Sequence, residues 1–105
     1  MNKRKMEKLK AAGWKVGNAE DFLELTKEET ALIEMKIALA GSLRRRRIRR
    51  KLTQAELAKV LKSSQSRVAK MEAADSSVSI DLLLRALLAL GVSQRDVAKI
   101  LFPAA

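Results

Sequence analysis

The stretch Leu52 to Glu72, LTQAELAKVLKSSQSRVAKME, gathers the side chains whose types and spacing can do recognition chemistry. Gln65 carries a donor and an acceptor on one amide and can pair bidentately with an adenine edge. Ser66 beside it is short and adaptable, and Lys70 reaches a guanine or a phosphate. These three are the candidate base-reading residues. Thr53, Gln54, Lys62, Ser64 and Arg67 are the candidate phosphate contacts. Ser64 stands at the open N-terminus of a helix, where an anion is favoured, and Gln54 starts the helix before it.

Two short capped helices must hold these groups. Thr53-Gln54-Ala55-Glu56 is a capping box that opens a helix carrying Leu57, Val60 and Leu61. After a turn around Lys62-Ser63, Ser64 caps a second helix from Gln65 to about Ala73. Leu57, Leu61, Val68 and Met71 face inward by spacing, Ala58 is small where the helices cross, and Gln65, Ser66, Arg67 and Lys70 face outward. Such a helix fits a major groove, with its N-terminal side chains at base edges. By pattern alone, the same residues also fit an ordinary helical hairpin with solvated polar faces.

Helix signals run through the rest of the chain, and no stretch alternates with period two for long enough to make a strand. Residues 2–11 read as a basic helix closed by Gly13, and Asn18 caps a short segment carrying Phe22, Leu23 and Leu25. Thr26-Lys27-Glu28-Glu29 reads as a capping box, with Glu29 reaching back, that opens a long helix to about Lys51. Leu32, Met35, Leu39, Leu43 and Ile48 recur on or near one side of it, and Gly41-Ser42 is expected to loosen its middle. Ser79 caps an apolar helix ended by Gly91. Ser93-Gln94-Arg95-Asp96 starts a last helix with Val97, Ile100, Leu101 and Phe102, which either closes the core or forms a dimer interface. Trp14 and Phe22 read as core or interface anchors.

The 105 residues suit one all-α domain, with residues 1–29 as an N-terminal arm and 30–105 as the domain proper. A net charge of +10 draws the chain to polyanions. The charge lies in blocks: basic at 1–15, acidic at 20–34, then Arg44, Arg45, Arg46, Arg47, Arg49, Arg50 and Lys51. Such blocks can attract one another within a chain or between subunits. The arginine run reads either as phosphate or RNA contact or as a solvated helix face. Arg47 is expected to face inward, with Arg50 or Lys51 nearest the turn that faces DNA. With no histidine and no cysteine, the commonest general base, thiol nucleophiles, disulfides and the usual zinc ligands are missing. No enzyme and no cofactor are therefore expected. No apolar run approaches the roughly 20 residues of a membrane span, and a cytoplasmic location is expected.

The motifs LTQAELA, SSQSRVAKME and SIDLLLRALLALGVS, in register over roughly Leu39 to Ser93, resemble the helix-turn-helix of the XRE (Cro/repressor-like) family. That resemblance implies a five-helix repressor-like domain that reads double-stranded DNA with its third helix, as a homodimer on a palindromic site. It implies a phosphate contact for Gln54, base reading for Gln65, Ser66 and Lys70, and a structural salt bridge between Arg47 and Glu72. The family turn usually carries glycine where this chain has Lys62, and a left-handed backbone there costs lysine more than glycine. Ala74 and Val78 stand where glycine and proline are common. The preceding GWKVGNAEDFLELTKEE resembles small regulators of the HigA-like antitoxin type, which implies binding of a ribonuclease toxin and repression of the chain's own operon. A protein-interaction module with the same fold is the remaining alternative.

Overall fold

A computed structural model describes residues 26–103. The basic segment 2–11, Trp14, Asn18 and Phe22 lie outside the described residues. Five helices follow in order: α1 Lys27–Arg49, α2 Gln54–Val60, α3 Gln65–Glu72, α4 Ile80–Ala89 and α5 Gln94–Leu101. No strand is present among the described residues, and none of these helices is long and apolar enough to cross a membrane.

Each helix starts where a hydroxyl can satisfy an orphan amide. Thr26, Thr53, Ser64, Ser79 and Ser93 accept from the backbone N–H groups of Glu29, Glu56, Arg67, Leu82 and Asp96 at 3.0–3.1 Å. At Thr53 the box closes, since its N–H donates to Glu56 Oε1 at 2.9 Å. The return bond expected from Glu29 to Thr26 is not formed, and both residues are exposed to competing water.

The helix ends share one device. Leu52, Ser63, Asp75 and Val92 donate N–H bonds to the carbonyls of Arg47, Ala58, Lys70 and Leu87, five residues back. This is the Schellman closure, which requires a left-handed residue just before the donor. Gly91 fills that position in one case with φ +87°; Lys51, Lys62 and Ala74 fill it in the other three with φ of 58°, 55° and 53°. The Lys62 turn thus keeps the backbone that suits glycine, without the glycine.

α1 is the spine, with α3, α4 and α5 packed on it and α2 packed on α3. Leu39, Leu43, Leu57, Val68, Met71, Leu83 and Leu87 are fully buried. Each such side chain contributes on the order of 1.5–3 kcal/mol by leaving water. The buried stripe of α1 is Ile33, Lys36, Leu39, Ala40, Ser42 and Leu43, which keeps the expected Leu39 and Leu43 and corrects Leu32 and Ile48. Leu32 and Ile48 are half-exposed, because one step along a helix turns a side chain by about 100° away from its neighbour's face. Nor is the helix broken at Gly41-Ser42. Ser42 is buried with its hydroxyl accepting from Arg46 Nε at 3.2 Å, and α4 and α5 clamp this part of the spine.

Lys36 is 6% exposed, and its Nζ donates to the Ser76 carbonyl at 3.5 Å. Burial lowers its pKa, and the charge of Asp75 works the other way. The loop after α3 is thereby tied to the middle of α1. α5 closes the core on its side through the partly buried Val97, Ile100 and Leu101, while Phe102 stays exposed.

Candidate nucleic-acid interface

α2 and α3 pack as a pair through Leu57, Ala58, Val68 and Met71, all buried. Burying one face of an eight-residue helix obliges the opposite face to project. Gln65, Ser66, Arg67 and Lys70 are all exposed there, and no acidic residue occupies the first turn of α3. Ser66 and Lys70 are one turn apart and share the outermost side. Gln65 flanks them, and Arg67 turns toward α4. Ser64, Ser66, Arg67 and Lys70 line a depression of about 350 Å³ with Ser77, Val78 and Leu82.

The pair is braced from behind by one carboxylate. Glu72 Oε2 accepts from Arg47 Nε at 2.6 Å, and Glu72 Oε1 accepts from Arg47 Nη2 at 3.0 Å and from Gln54 Nε2 at 3.3 Å. Arg47 Nη1 also donates to the Leu52 carbonyl at 2.9 Å. The side chains of Arg47 and Glu72 are only 13% and 4% exposed. Hydrogen bonding to Glu72 raises the Arg47 pKa against the opposing effect of burial. The ends of α1 and α3, the start of α2 and the link between α1 and α2 therefore meet at Glu72.

The candidate phosphate residues divide by what the fold already asks of them. Ser64 uses its oxygen as a cap acceptor and keeps its hydroxyl proton to donate outward, whereas the Thr53 hydroxyl, also a cap acceptor, is engaged with the Glu56 carboxylate. The Thr53 backbone N–H is taken by Glu56. Gln54 is half-buried with one amide hydrogen on Glu72, which leaves the second for an outside acceptor. Lys62 projects from its left-handed turn and is exposed, as is Arg67.

Of the two residues expected nearest the DNA-facing turn, Lys51 is exposed in the link to α2, while Arg50 is engaged elsewhere. Its Nη2 donates to the Leu90 carbonyl, so it satisfies the C-terminus of α4. Ser77 is a member of the depression that sequence reasoning missed. Both its N–H and its hydroxyl donate to Asp75 Oδ1, at 2.9 and 2.7 Å. The run Asp75-Ser76-Ser77 signals a turn, but nothing in it says that the turn lies beside α3.

The family model described as Helix-turn-helix matches residues 43–93. Residues 43–93 are a helix-turn-helix domain. Within it, α2 and α3 are the motif, and the match runs from the basic end of α1 through α4 to Ser93, the cap of α5. The match supports a DNA-binding regulator of the XRE type. Comparisons with curated proteins and with solved structures found no match.

Proposed function

We propose that the chain is a sequence-specific DNA-binding transcriptional repressor that works as a homodimer. Gln65, Ser66 and Lys70 read base edges from α3, while Thr53, Gln54, Lys62, Ser64 and Arg67 hold phosphates on either side. The observation that carries this reading is the acid-free first turn of α3, projecting exposed Gln65, Ser66, Arg67 and Lys70 from a brace that fixes its angle.

Selection from a random duplex pool, followed by titration at several salt concentrations, tests it. A (pseudo)palindromic sequence is expected, with two half-sites about one helical turn apart. The two cationic phosphate contacts, Lys62 and Arg67, give a log–log salt slope of about −1.8 for each bound domain, since the neutral Thr53, Gln54 and Ser64 release no counterion. A slope near zero, or no enriched sequence, overturns the reading. An antitoxin role is the second reading. It rests on the resemblance of the GNAEDFL segment, and a ribonuclease-like reading frame beside this one would support it.

A further inference from the structure

The densest positive charge in the chain is only partly used by the brace. Between α1 and α5 lies a depression of about 420 Å³, and it shares no lining residue with the one along α3. Arg45, Arg46, Arg49 and Lys99 line it with a single carboxylate, Asp96. That carboxylate is engaged with Ser93 at the start of α5. Arg46 is tied to the buried Ser42 hydroxyl. Arg45, Arg49 and Lys99 are exposed, and none of them makes an ion pair among the described residues. Ala38, Ser42, Ile100 and Pro103 complete the lining.

The groove opens away from the brace. Arg45 and Arg49 stand two positions on either side of Arg47 in α1, and two steps carry a side chain about 200° round a helix. Arg47 faces Glu72 on α3, so Arg45 and Arg49 face the other way, where α5 packs. The three cations are thus set apart from the surface that α2 and α3 present. What fits them is a linear polyanion. Arg45 and Arg49 are one turn apart along α1, with Lys99 contributed by α5. Guanidinium forks match phosphate oxygens, and their charge does not titrate. A phosphodiester strand carries a charge on every nucleotide, with an apolar sugar face between charges that suits Ala38, Ile100 and Pro103. An acidic peptide carries its charge on flexible side chains, each of which loses entropy when held.

We propose that the α1–α5 groove takes the phosphate backbone of a second DNA segment, of any sequence, so that one molecule bridges two segments. The proposal rests on the reading that α3 holds the first. Three cations release about three counterions, which gives the second contact its own log–log salt slope of about −2.7. With no base contacts to sustain it, the second contact is lost at lower salt than the sequence-specific one.

A capture assay on the full chain tests it. The selected duplex is fixed to beads, and a labelled duplex of unrelated sequence is offered in solution. Arg45→Gln with Arg49→Gln and Lys99→Gln is expected to cut capture roughly tenfold or more, while affinity for the selected duplex stays within about threefold. Lys99→Gln alone should lower the salt slope of capture by about 0.9, and it serves if the triple variant fails a circular dichroism control for folding. If no sequence is ever selected, an unrelated duplex takes the bead position. A tenfold loss of capture then still supports the groove, although the reading of α3 has failed. Four results would overturn the proposal: no capture by wild type at low salt, capture unchanged by either variant, equal losses of capture and of selected-duplex affinity, or displacement of the labelled duplex by polyglutamate as readily as by unlabelled DNA. The third would place these cations on the reading face, and the fourth would assign the groove to an acidic protein.

Discussion

Arg47 meets Glu72 across 25 positions of sequence with two parallel bonds, of 2.6 and 3.0 Å. The pair is nearly dry, and it ties the C-terminal end of α3, the helix that exposes Gln65, Ser66 and Lys70, to the end of α1. Fork-to-fork contact of this kind adds direction as well as energy. It holds the relative angle of three helix ends, which hydrophobic packing alone sets less sharply.

Removing one partner should therefore cost far more than a surface change. Glu72→Ala strands a guanidinium that is 13% exposed, and breaking such pairs costs roughly 3–5 kcal/mol. Arg47 keeps its bond to the Leu52 carbonyl, so the lower end is expected. Glu72→Leu combined with Arg47→Met should recover much of the loss, because an apolar pair leaves no charge stranded. Urea denaturation of the two variants beside wild type measures it. A Glu72→Ala midpoint equal to wild type would show that the brace carries no stability.

Gln65→Ala should cost on the order of 1–3 kcal/mol on the selected duplex and relax the preference at one base pair of each half-site. Lys70→Ala should cost a similar amount if it meets a base. If it meets a phosphate instead, affinity should fall equally on all duplexes. Paired titrations on the selected and a scrambled duplex separate the two. Equal losses for Gln65→Ala on both would remove it from the base-reading set.

The Lys62 turn gives a prediction with two independent readouts. A left-handed backbone costs a side-chain-bearing residue about 1–2 kcal/mol, and glycine gives back about 0.5–1 kcal/mol in chain entropy. Lys62→Gly should raise stability by about 0.5–1 kcal/mol, measured by thermal melting. If Lys62 also holds a phosphate, the salt slope of binding should shrink by about 0.9 for each subunit. A variant that is no more stable would contradict the strain at φ 55°. One that is more stable with an unchanged slope would leave the lysine without a phosphate.

Three carboxylates should make the fold acid-sensitive. The Thr53 backbone N–H and then its hydroxyl hold Glu56 below the usual range, and the Ser77 hydroxyl and then its N–H do so for Asp75. Ser93 does the same for Asp96, again through its hydroxyl first. A depressed folded pKa means that the unfolded chain binds protons more readily. The contribution is complete above the unfolded values near about 4 and is lost as pH falls through the folded ones. Melting temperatures from pH 6 down to 2 should drop less steeply in Glu56→Gln/Asp75→Asn/Asp96→Asn than in wild type. Parallel curves would count against the linkage.

Much of this architecture was legible before any coordinates, for a physical reason. Caps are local: Thr53 with Glu56, and Ser64, Ser79 and Ser93 with their following amides, form within four residues and announce themselves by type and spacing. The outward placement of Gln65, Ser66, Arg67 and Lys70 follows from the burial of Val68 and Met71 on the opposite side of α3. Nonlocal choices were legible only where the resemblance carried them, as for Arg47 with Glu72. Apolarity favoured Leu32 and Ile48 for the core, yet the spine turns Ile33 and Lys36 inward. Lys36 is met there by the loop carrying Ser76, which arrives beside it 40 positions later. Arg50 found a carbonyl on α4 at the same separation, which no charge pattern foretells.

The spine has a consequence for motion before contact. α1 runs 23 residues, about 35 Å, with Glu28 and Glu29 in its first turn and Arg46, Arg47 and Arg49 in its last. These side chains oppose the helix's own dipole locally, but their full charges exceed its half-charges and set the field beyond it. A helix so polarised feels a turning force near a polyanion. It is turned like a compass needle, arginine end leading, and that end lies against Leu52, Gln54 and the brace behind α3. The alignment acts on how often encounters are productive and leaves the lifetime of the complex to the contacts themselves. Added salt should therefore slow arrival before it hastens departure.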